Sequence, residues 1–382
     1  MSKHRTLLAI LTLTTALGTT AQAETAYRVE TLAEGLDRPW ALAFLPGSAD
    51  IILTGRSGNV MIWDAETGSV LPIEGAPEVD ARGQGGLLDI APAPDFSRSG
   101  ILYLTWSAAN DAGETATHLG RARLDREQGR LSDLETLHVV APFMDAQGHY
   151  GSRIAFADGH VFFSAGDRQR KDFGPDHIAQ QLGTGYGSMM RLRMDGSVPD
   201  DNPFSGQEGA APEIWSYGHR NIQALTVHPD TGELWAAEHG ESGGDEINII
   251  QRGGNFGWPL VSYGVDYRTG QPFAPESSEG DGFVSPVFHF GPGREDNFPP
   301  SGMVFYDGAA FPDWQGDLLV GNLRHRYLGR FSVDGEAVEA PDRLLADQGW
   351  RIRDVVVGPD DGFVYVISDG EGATLARLVP AH

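Results

Sequence analysis

An all-β fold, a six-bladed β-propeller with four-stranded antiparallel blades, is what this 382-residue sequence predicts. Three observations carry that expectation. A strand-turn-strand unit recurs six times, no stretch of the chain body shows helical periodicity, and 50 Gly with 23 Pro make up about a fifth of the residues, against roughly 12% in ordinary proteins.

The copies are WALAFLPGSADIILTGRSGNVMIWD from Trp40, GLLDIAPAPDFSRSGILYLTWS from Gly86, RIAFADGHVFFSAGD from Arg153, ALTVHPDTGELWAAEHG from Ala224, GMVFYDGAAFPDWQGDLLVGNL from Gly302 and DVVVGPDDGFVYVISDGEG from Asp354. Each reads as an alternating strand, a turn with Pro, Asp or Gly, and a more strongly apolar strand. VMIWD, RARLD, MRLRMDG, INIIQRGG, GRFSVDG and ARLVP then add a further strand. One copy cannot bury both faces of its own sheet, so the copies must stack around an axis. Their spacing of about 45 to 80 residues suits four-stranded blades with long loops. A pair of β-sandwiches is the competing architecture, but no linker or composition shift interrupts residues 24–382, which read as one domain. Long stretches from Arg168 to Met189 and from Trp258 to Pro300 read as connections between blades, gathered over one mouth of the channel where ligands bind.

Residues 1–23 read as a secretory signal peptide. Lys3, His4 and Arg5 precede an apolar run from Leu7 to Leu17, and Ala21-Gln22-Ala23 is an A-x-A cleavage site, so the chain is expected to be periplasmic or secreted from Glu24 onward. No later segment approaches transmembrane length, so no membrane insertion is expected. With no Cys, disulfides, thiolate metal sites, Cys nucleophiles and attached c-type haem are excluded. A formal charge of −25 argues against nucleic acid or an anionic membrane as partner.

In so acidic a chain, clustered positive charge is informative. Arg351 and Arg353 precede the first strand of the sixth copy, Arg324 and Arg326 follow the second strand of the fifth, and Arg220 precedes the fourth. If equivalent strand ends converge on one mouth, these guanidinium groups form a receptor for a ligand with several carboxylates or phosphates. The plainer alternative pairs each with a nearby Asp or Glu. His149, in QGHYGSR before the third copy, holds the place that Arg220 and Arg353 hold in theirs. There a neutral imidazole could serve as general base, oriented by Asp167 at the end of that copy's second strand. Glu241, Asp245 and Glu246 on the glycine-rich turn EHGESGGDEINII are hard oxygen donors suited to calcium, although an acidic surface loop fits as well. No H-E-x-x-H, G-x-S-x-G or Walker signature occurs, and GTGYGSMM precedes a strand rather than a helix.

Taken together, GQGGLLDIA at Gly83, GHYGSRIAF at Gly148, MRLRMDGSVPDDNPF at Met190, YGHRNIQAL at Tyr217, HGESGGDEINII at His239, GGNFGWP at Gly253 and WRIRDVVVGPDDG at Trp350 resemble the successive motifs of the soluble PQQ-dependent glucose and aldose sugar dehydrogenases. They keep the family's order across nearly the whole chain body. The resemblance implies pyrroloquinoline quinone (PQQ), a tricarboxylate, over the central mouth with calcium beside it. His149 then matches the base that takes the anomeric hydroxyl proton while hydride passes to a quinone carbonyl carbon, and Asp167 matches its supporting carboxylate. Gln84, Arg220, Asn221, Tyr267, Asn322, Leu323, Arg324, Arg351 and Arg353 match cofactor-contacting positions. Calcium is implied at the carbonyls of Gly240 and Glu241 and, in a second setting, at Glu246 and the carbonyl of Phe256. The product would be a lactone, and the electrons would leave to a separate acceptor. Arg324 stands where many relatives have Lys, and Phe256 replaces a frequent Tyr. Reduced loops between the fourth and fifth copies make the chain resemble the broad-specificity aldose sugar dehydrogenases more closely. Neither a glucose preference nor the dimer of the longer relatives carries over, and oligomeric state is not legible.

Two other classes use similar scaffolds. A calcium-dependent sugar lactonase needs acidic ligands deep in the channel and no arginine-rich mouth, and a non-catalytic binding propeller needs neither base nor arginines. His149 with Arg351 and Arg353 favours the dehydrogenase over both.

Overall fold

The computed structural model describes residues 26–277, 280, 282–295 and 297–381. Segment 1–23, read above as a signal peptide, lies outside them. Six four-stranded antiparallel sheets follow one another around an axis as blades. Blade 1 comprises Pro39–Phe44, Ile51–Gly55, Asn59–Trp63 and Val70–Ile73, and blade 2 Leu87–Pro92, Ile101–Ala109, Thr115–Asp125 and Arg130–Val139. Blade 3 comprises Ile154–Ala157, His160–Ala165, Ser188–Arg193 and Ile214–Tyr217, and blade 4 Ile222–Val227, Leu234–Glu238, Glu246–Ile249 and Phe288–His289. Blade 5 is Pro300–Phe305, Leu318–Asn322, Leu328–Phe331 and Asp342–Leu344. Blade 6 takes Ile352–Val357, Val364–Ser368 and Glu371–Pro380 from the C-terminal end of the chain, and its outermost strand, Tyr27–Asp37, from the other end. That strand pairs antiparallel with Glu371–Pro380 from Tyr27 opposite Pro380 to Asp37 opposite Glu371.

The ring is held by packing between blades rather than within them. An apolar cluster fills each of the six gaps between neighbours. In Ile51–Gly55, every residue is buried, and alternation sends Ile52 toward blade 2 and Ile51 with Leu53 toward blade 6. This explains why second strands are more continuously apolar than first strands: both faces meet a neighbouring sheet. The long stretch after Arg168 lies inside blade 3, between its second and third strands, and most of the stretch after Trp258 lies inside blade 4, before its last strand. The expectation that these insertions connect blades is corrected accordingly; a repeat recognised by its first two strands gives no sign of where its blade ends.

Innermost strands begin with a register shift in five blades, at Pro39/Ala41, Leu87/Ile90, Ile222/Ala224, Pro300/Met303 and Ile352/Asp354. Such bulges bend each strand and turn its first residues toward the axis. Below them, buried Arg153 spans the channel, 3.4 Å from Asp89 of blade 2 and 3.2 Å from Asp354 of blade 6, with its guanidinium 4.2 Å from the centre of the Trp40 ring. This floor leaves an open mouth on the side where the inner strands begin.

Candidate active site

A cavity of about 350 Å³ opens there, within the ordinary size of a small-molecule site. Gln84, Asn221, Tyr267, Leu323, Arg324, Arg351 and Arg353 all line it, so segments from blades 2, 4, 5 and 6 converge as the repeat argument expects. Arg324 and Arg351 are exposed at the rim, and Arg353 is buried. Asn322 does not line the cavity; it is buried behind it, its Oδ1 accepting from the amides of Arg324 and His325 at 2.8 Å each. Arg326 is exposed and lines no part of the cavity. Arg351 and Arg353 both bind Asp369, with Nε–Oδ distances of 2.9 and 3.0 Å, so the plainer pairing is realised for these two even as they border the cavity. Burial pushes the Asp369 carboxyl up, yet the two guanidinium groups outweigh it and hold it below the usual carboxylate range.

His149 and Asp167 meet beside this cavity. Nδ1 of His149 lies 2.6 Å from Oδ1 of Asp167, His149 is 5% exposed, and Asp167 is fully enclosed. The carboxylate is fixed on every side: Oδ1 also accepts from the amide of Gln169 at 2.9 Å, Oδ2 accepts from the indole Nε1 of Trp258 at 2.8 Å, and its own amide donates to Arg220 O at 2.8 Å. The backbone of His149 is equally fixed. Its amide donates to Gln84 Oε1 at 2.8 Å, and its φ of 49° lies in the left-handed region that non-glycine residues seldom adopt. Gly166 makes this approach possible, because a Cβ there would stand 2.5 Å from His149 O. Burial is the main influence on His149 and lowers its pKa, Asp167 pulls the other way, and Arg220 and Lys171 lower it further, leaving it below the ordinary value. The imidazole is therefore neutral at neutral pH. With Nδ1–H donating to the Asp167 carboxylate, Nε2 carries the free lone pair.

Arg220 is buried between this pair and the acidic turn. Its amide donates to Glu238 Oε2 at 2.6 Å, and its guanidinium donates to His239 O at 3.1 Å and Glu241 Oε2 at 2.7 Å, while its Nε has no partner among the described residues. Glu241 is 1% exposed and is also gripped by Lys171, so its carboxylate is spoken for and only its carbonyl is left for a metal. Gly240, Glu246 and Phe256 line a separate gap of about 10 Å³ together with Arg220, Glu238 and His239, so Arg220 faces this gap and not the main cavity, and Glu241 does not line it. Asn248 Nδ2 donates to both Glu238 and Glu246 at 3.2 Å, bringing two carboxylates to one place. Burial, with Glu238 and Asp245 as like charges, pushes the Glu246 carboxyl well up. Among the described residues no group of three or more His, Asp or Glu side chains is arranged to hold a metal by itself. Backbone carbonyls would have to complete any coordination shell.

Several residues that border these sites were not singled out from sequence: Arg56, His239 and Asp369 on the main cavity, Glu238 on the gap, and Trp258 behind Asp167. Arg56, His239 and Asp369 each directly follow the second strand of a copy, near the place Asp167 occupies in the third. Aligning the copies on those strand ends would have revealed them. Arg56 donates through Nε to Gly85 O at 3.0 Å, and burial followed by Arg353 lowers its pKa. His239 contacts Pro300 O through Nε2 at 2.7 Å, and burial above all drives its pKa down to about 3.

Comparison with known proteins agrees with this geometry. Residues 36–377 match the family described as Glucose / Sorbosone dehydrogenase. Aldose sugar dehydrogenase YliI of Escherichia coli is 39% identical over 358 residues, 93% of each chain. Among solved structures, the soluble aldose sugar dehydrogenase of Escherichia coli in its apo form superposes with a TM-score of 0.87 at 38% identity, covering 93% of this chain and all of that one. The PQQ-bound aldose sugar dehydrogenase of Streptomyces coelicolor gives 0.74 at 26% identity, covering 93% and 98%.

Proposed function

The chain belongs to the Glucose / Sorbosone dehydrogenase family, and on that premise we propose that it is a PQQ-dependent aldose sugar dehydrogenase that oxidises the anomeric carbon to a lactone. The observation that carries this reading is the buried His149–Asp167 pair at 2.6 Å beside an arginine-bordered cavity of small-molecule size. The residues fit a tricarboxylate: Arg56, Arg324, Arg351 and Arg353 all border the cavity, whereas Arg220 lines the neighbouring gap. Arg351 and Arg353 would share their donors between Asp369 and the ligand. PQQ held there would supply the two-electron oxidant for the anomeric C–H bond.

The rest of the chemistry falls to this chain's own side chains. Nε2 of His149 accepts the proton of the anomeric hydroxyl, and Asp167, retained as a carboxylate, stabilises the imidazolium that forms. Asp167 also fixes the tautomer in which Nε2 is free. Trp258 and the amide of Gln169 hold Asp167 in place. The gap at Glu246, Glu238, Gly240 and Phe256 has a donor set of hard oxygens and the size of a single ion, which suits calcium. Calcium there would relieve the repulsion between buried carboxylates and add fixed positive charge near Arg220. No helix among the described residues is long and apolar enough to cross a membrane. We further propose that residues 1–23 direct export, that 24–382 act as one domain, and that a separate carrier accepts the electrons.

The test is dye-linked oxidation of a panel of aldoses by purified apoprotein, with and without PQQ and calcium. Activity requiring both additions is expected; activity without PQQ, or none with both, would overturn the assignment.

A further inference from the structure

We propose that Arg168 is a positioning residue for the His149–Asp167 pair, clamping the base and its carboxylate in register from outside the cavity. This rests on the reading of His149 as the base. Arg168 follows Asp167 in the chain as Tyr150 follows His149, and the two followers meet as their predecessors do: the Arg168 guanidinium lies 3.7 Å from the centre of the Tyr150 ring. Two adjacent contacts, one hydrogen bond and one cation–π stack, thus join the same two segments.

The surroundings show what the stack restrains. Nη2 of Arg168 donates to Thr115 Oγ1 at 2.7 Å and to Ala146 O, and Thr115 Oγ1 lies 2.9 Å from the Tyr150 hydroxyl. The guanidinium therefore grips the 146–150 segment at its start, at its aromatic ring and through an intervening hydroxyl. Both segments are bent in ways that do not hold themselves. His149, Ser152, Arg168 and Gln169 have φ of 49°, 89°, 59° and 60°, left-handed values that persist only where surrounding contacts over-determine them.

Stability alone does not account for an arginine here. The side chain is 2% exposed, its hydrogen bonds go to a hydroxyl and a carbonyl rather than to a carboxylate, and Nε and Nη1 are buried without partners among the described residues. An apolar side chain of similar length would fill the space without burying a charge and two unpaired donors. What it would lack is the flat cation that stacks on Tyr150 while reaching Ala146 O. Misplacement of a catalytic group by about 1 Å can cost on the order of 100-fold in rate, so a clamp of this kind acts on turnover rather than on binding.

The variants Arg168→Met and Arg168→Lys test this. With PQQ and calcium saturating, Arg168→Met is expected to lower kcat by roughly 10- to 100-fold while KM for the aldose stays within about twofold, and Arg168→Lys, which restores the cation and one donor, to recover part of the loss. The second readout needs neither substrate nor cofactor: in protein labelled with 15N-histidine, the hydrogen-bonded Nδ1 proton of His149, assigned by its absence in His149→Gln, is expected to broaden or disappear in Arg168→Met. Unchanged kcat in Arg168→Met, or an intact Nδ1 signal in that variant, overturns the proposal. If the wild-type protein oxidises no aldose, the functional reading fails, and the Nδ1 signal still decides the role of Arg168. Should Arg168→Met not fold, the same two readouts on Arg168→Lys decide it: wild-type kcat with an unaltered signal overturns the clamp.

Discussion

The indole Nε1 of Trp258 donates to Oδ2 of Asp167 at 2.8 Å, so the carboxylate behind His149 is tied to an insertion of the following blade. Trp258 in turn packs edge-on against Phe173 and Phe273, which stack on each other at 4.2 Å and whose ring centroids lie 5.7 and 5.6 Å from its own. Two insertions far apart in sequence thus close over the same acid.

Replacing Trp258 with Phe keeps most of that packing and removes the donor. A hydrogen bond to a charged group contributes about 1.5–3 kcal/mol, so a fall in kcat of roughly 10- to 100-fold is expected if most of it is felt in turnover. Steady-state dye reduction at saturating PQQ and calcium measures it, and an unchanged kcat would detach Trp258 from catalysis.

His149→Ala should lower turnover by roughly two to four orders of magnitude while leaving PQQ affinity within a few-fold. Asp167→Asn should be nearly as damaging, because an amide donor facing Nδ1 favours the tautomer with its proton on Nε2, where a base must be free. Fluorescence titration of PQQ alongside the rates separates loss of chemistry from loss of cofactor.

The pH profile has a definite sign. The base works when neutral, and its pKa lies below the ordinary value of about 6.5, so the acid limb of kcat/KM should have its midpoint below that value and activity should be flat through neutrality on this limb. Lys171 is one of the positive charges that lower it. Lys171→Met should therefore move the midpoint upward, and a downward movement would contradict the electrostatic account.

Calcium binding should release protons. Glu246 lines the gap, and burial with its acidic neighbours pushes its carboxyl well up, which favours a proton there that a cation would displace. Titration calorimetry in buffers of different ionisation enthalpy should show that release. Glu246→Gln should weaken calcium binding and reduce the number of protons released.

Arg351→Ala combined with Arg353→Ala should weaken PQQ binding by at least tenfold and flatten its dependence on salt, since charge-assisted bonds to carboxylates are lost. Wild-type affinity in this double variant, measured by the same titration, would remove both from the cofactor site.

The blades were legible because each repeats a pattern that physics forces: a second strand buried on both faces, as in Ile51–Gly55, must be apolar throughout. Tyr27–Asp37 carried no such mark. It is half exposed and mixed in composition, and nothing local says that its partner is the last strand of the chain. At the site, scarcity made Arg324, Arg351 and Arg353 visible in an acidic chain, and the place of His149 before its copy brought it to the same mouth. Trp258 could not be read as a donor to Asp167, because that contact joins two irregular insertions whose conformations no periodicity encodes. Arg168 was hidden for a related reason: a buried guanidinium looks like a surface one until its aromatic neighbour is seen.

The pairing of Tyr27–Asp37 with Glu371–Pro380 also sets a timetable for biogenesis. The segment of blade 6 that is synthesised first can be hydrogen-bonded only after the segment synthesised last, so blades 1 to 5 can form progressively while the ring waits. Until then the unpaired Leu36 leaves the gap between blades 6 and 1 short of a side chain that fills it. A nascent or proteolytically clipped chain lacking those first residues would keep an open sheet edge, ready to borrow the missing strand from a second molecule.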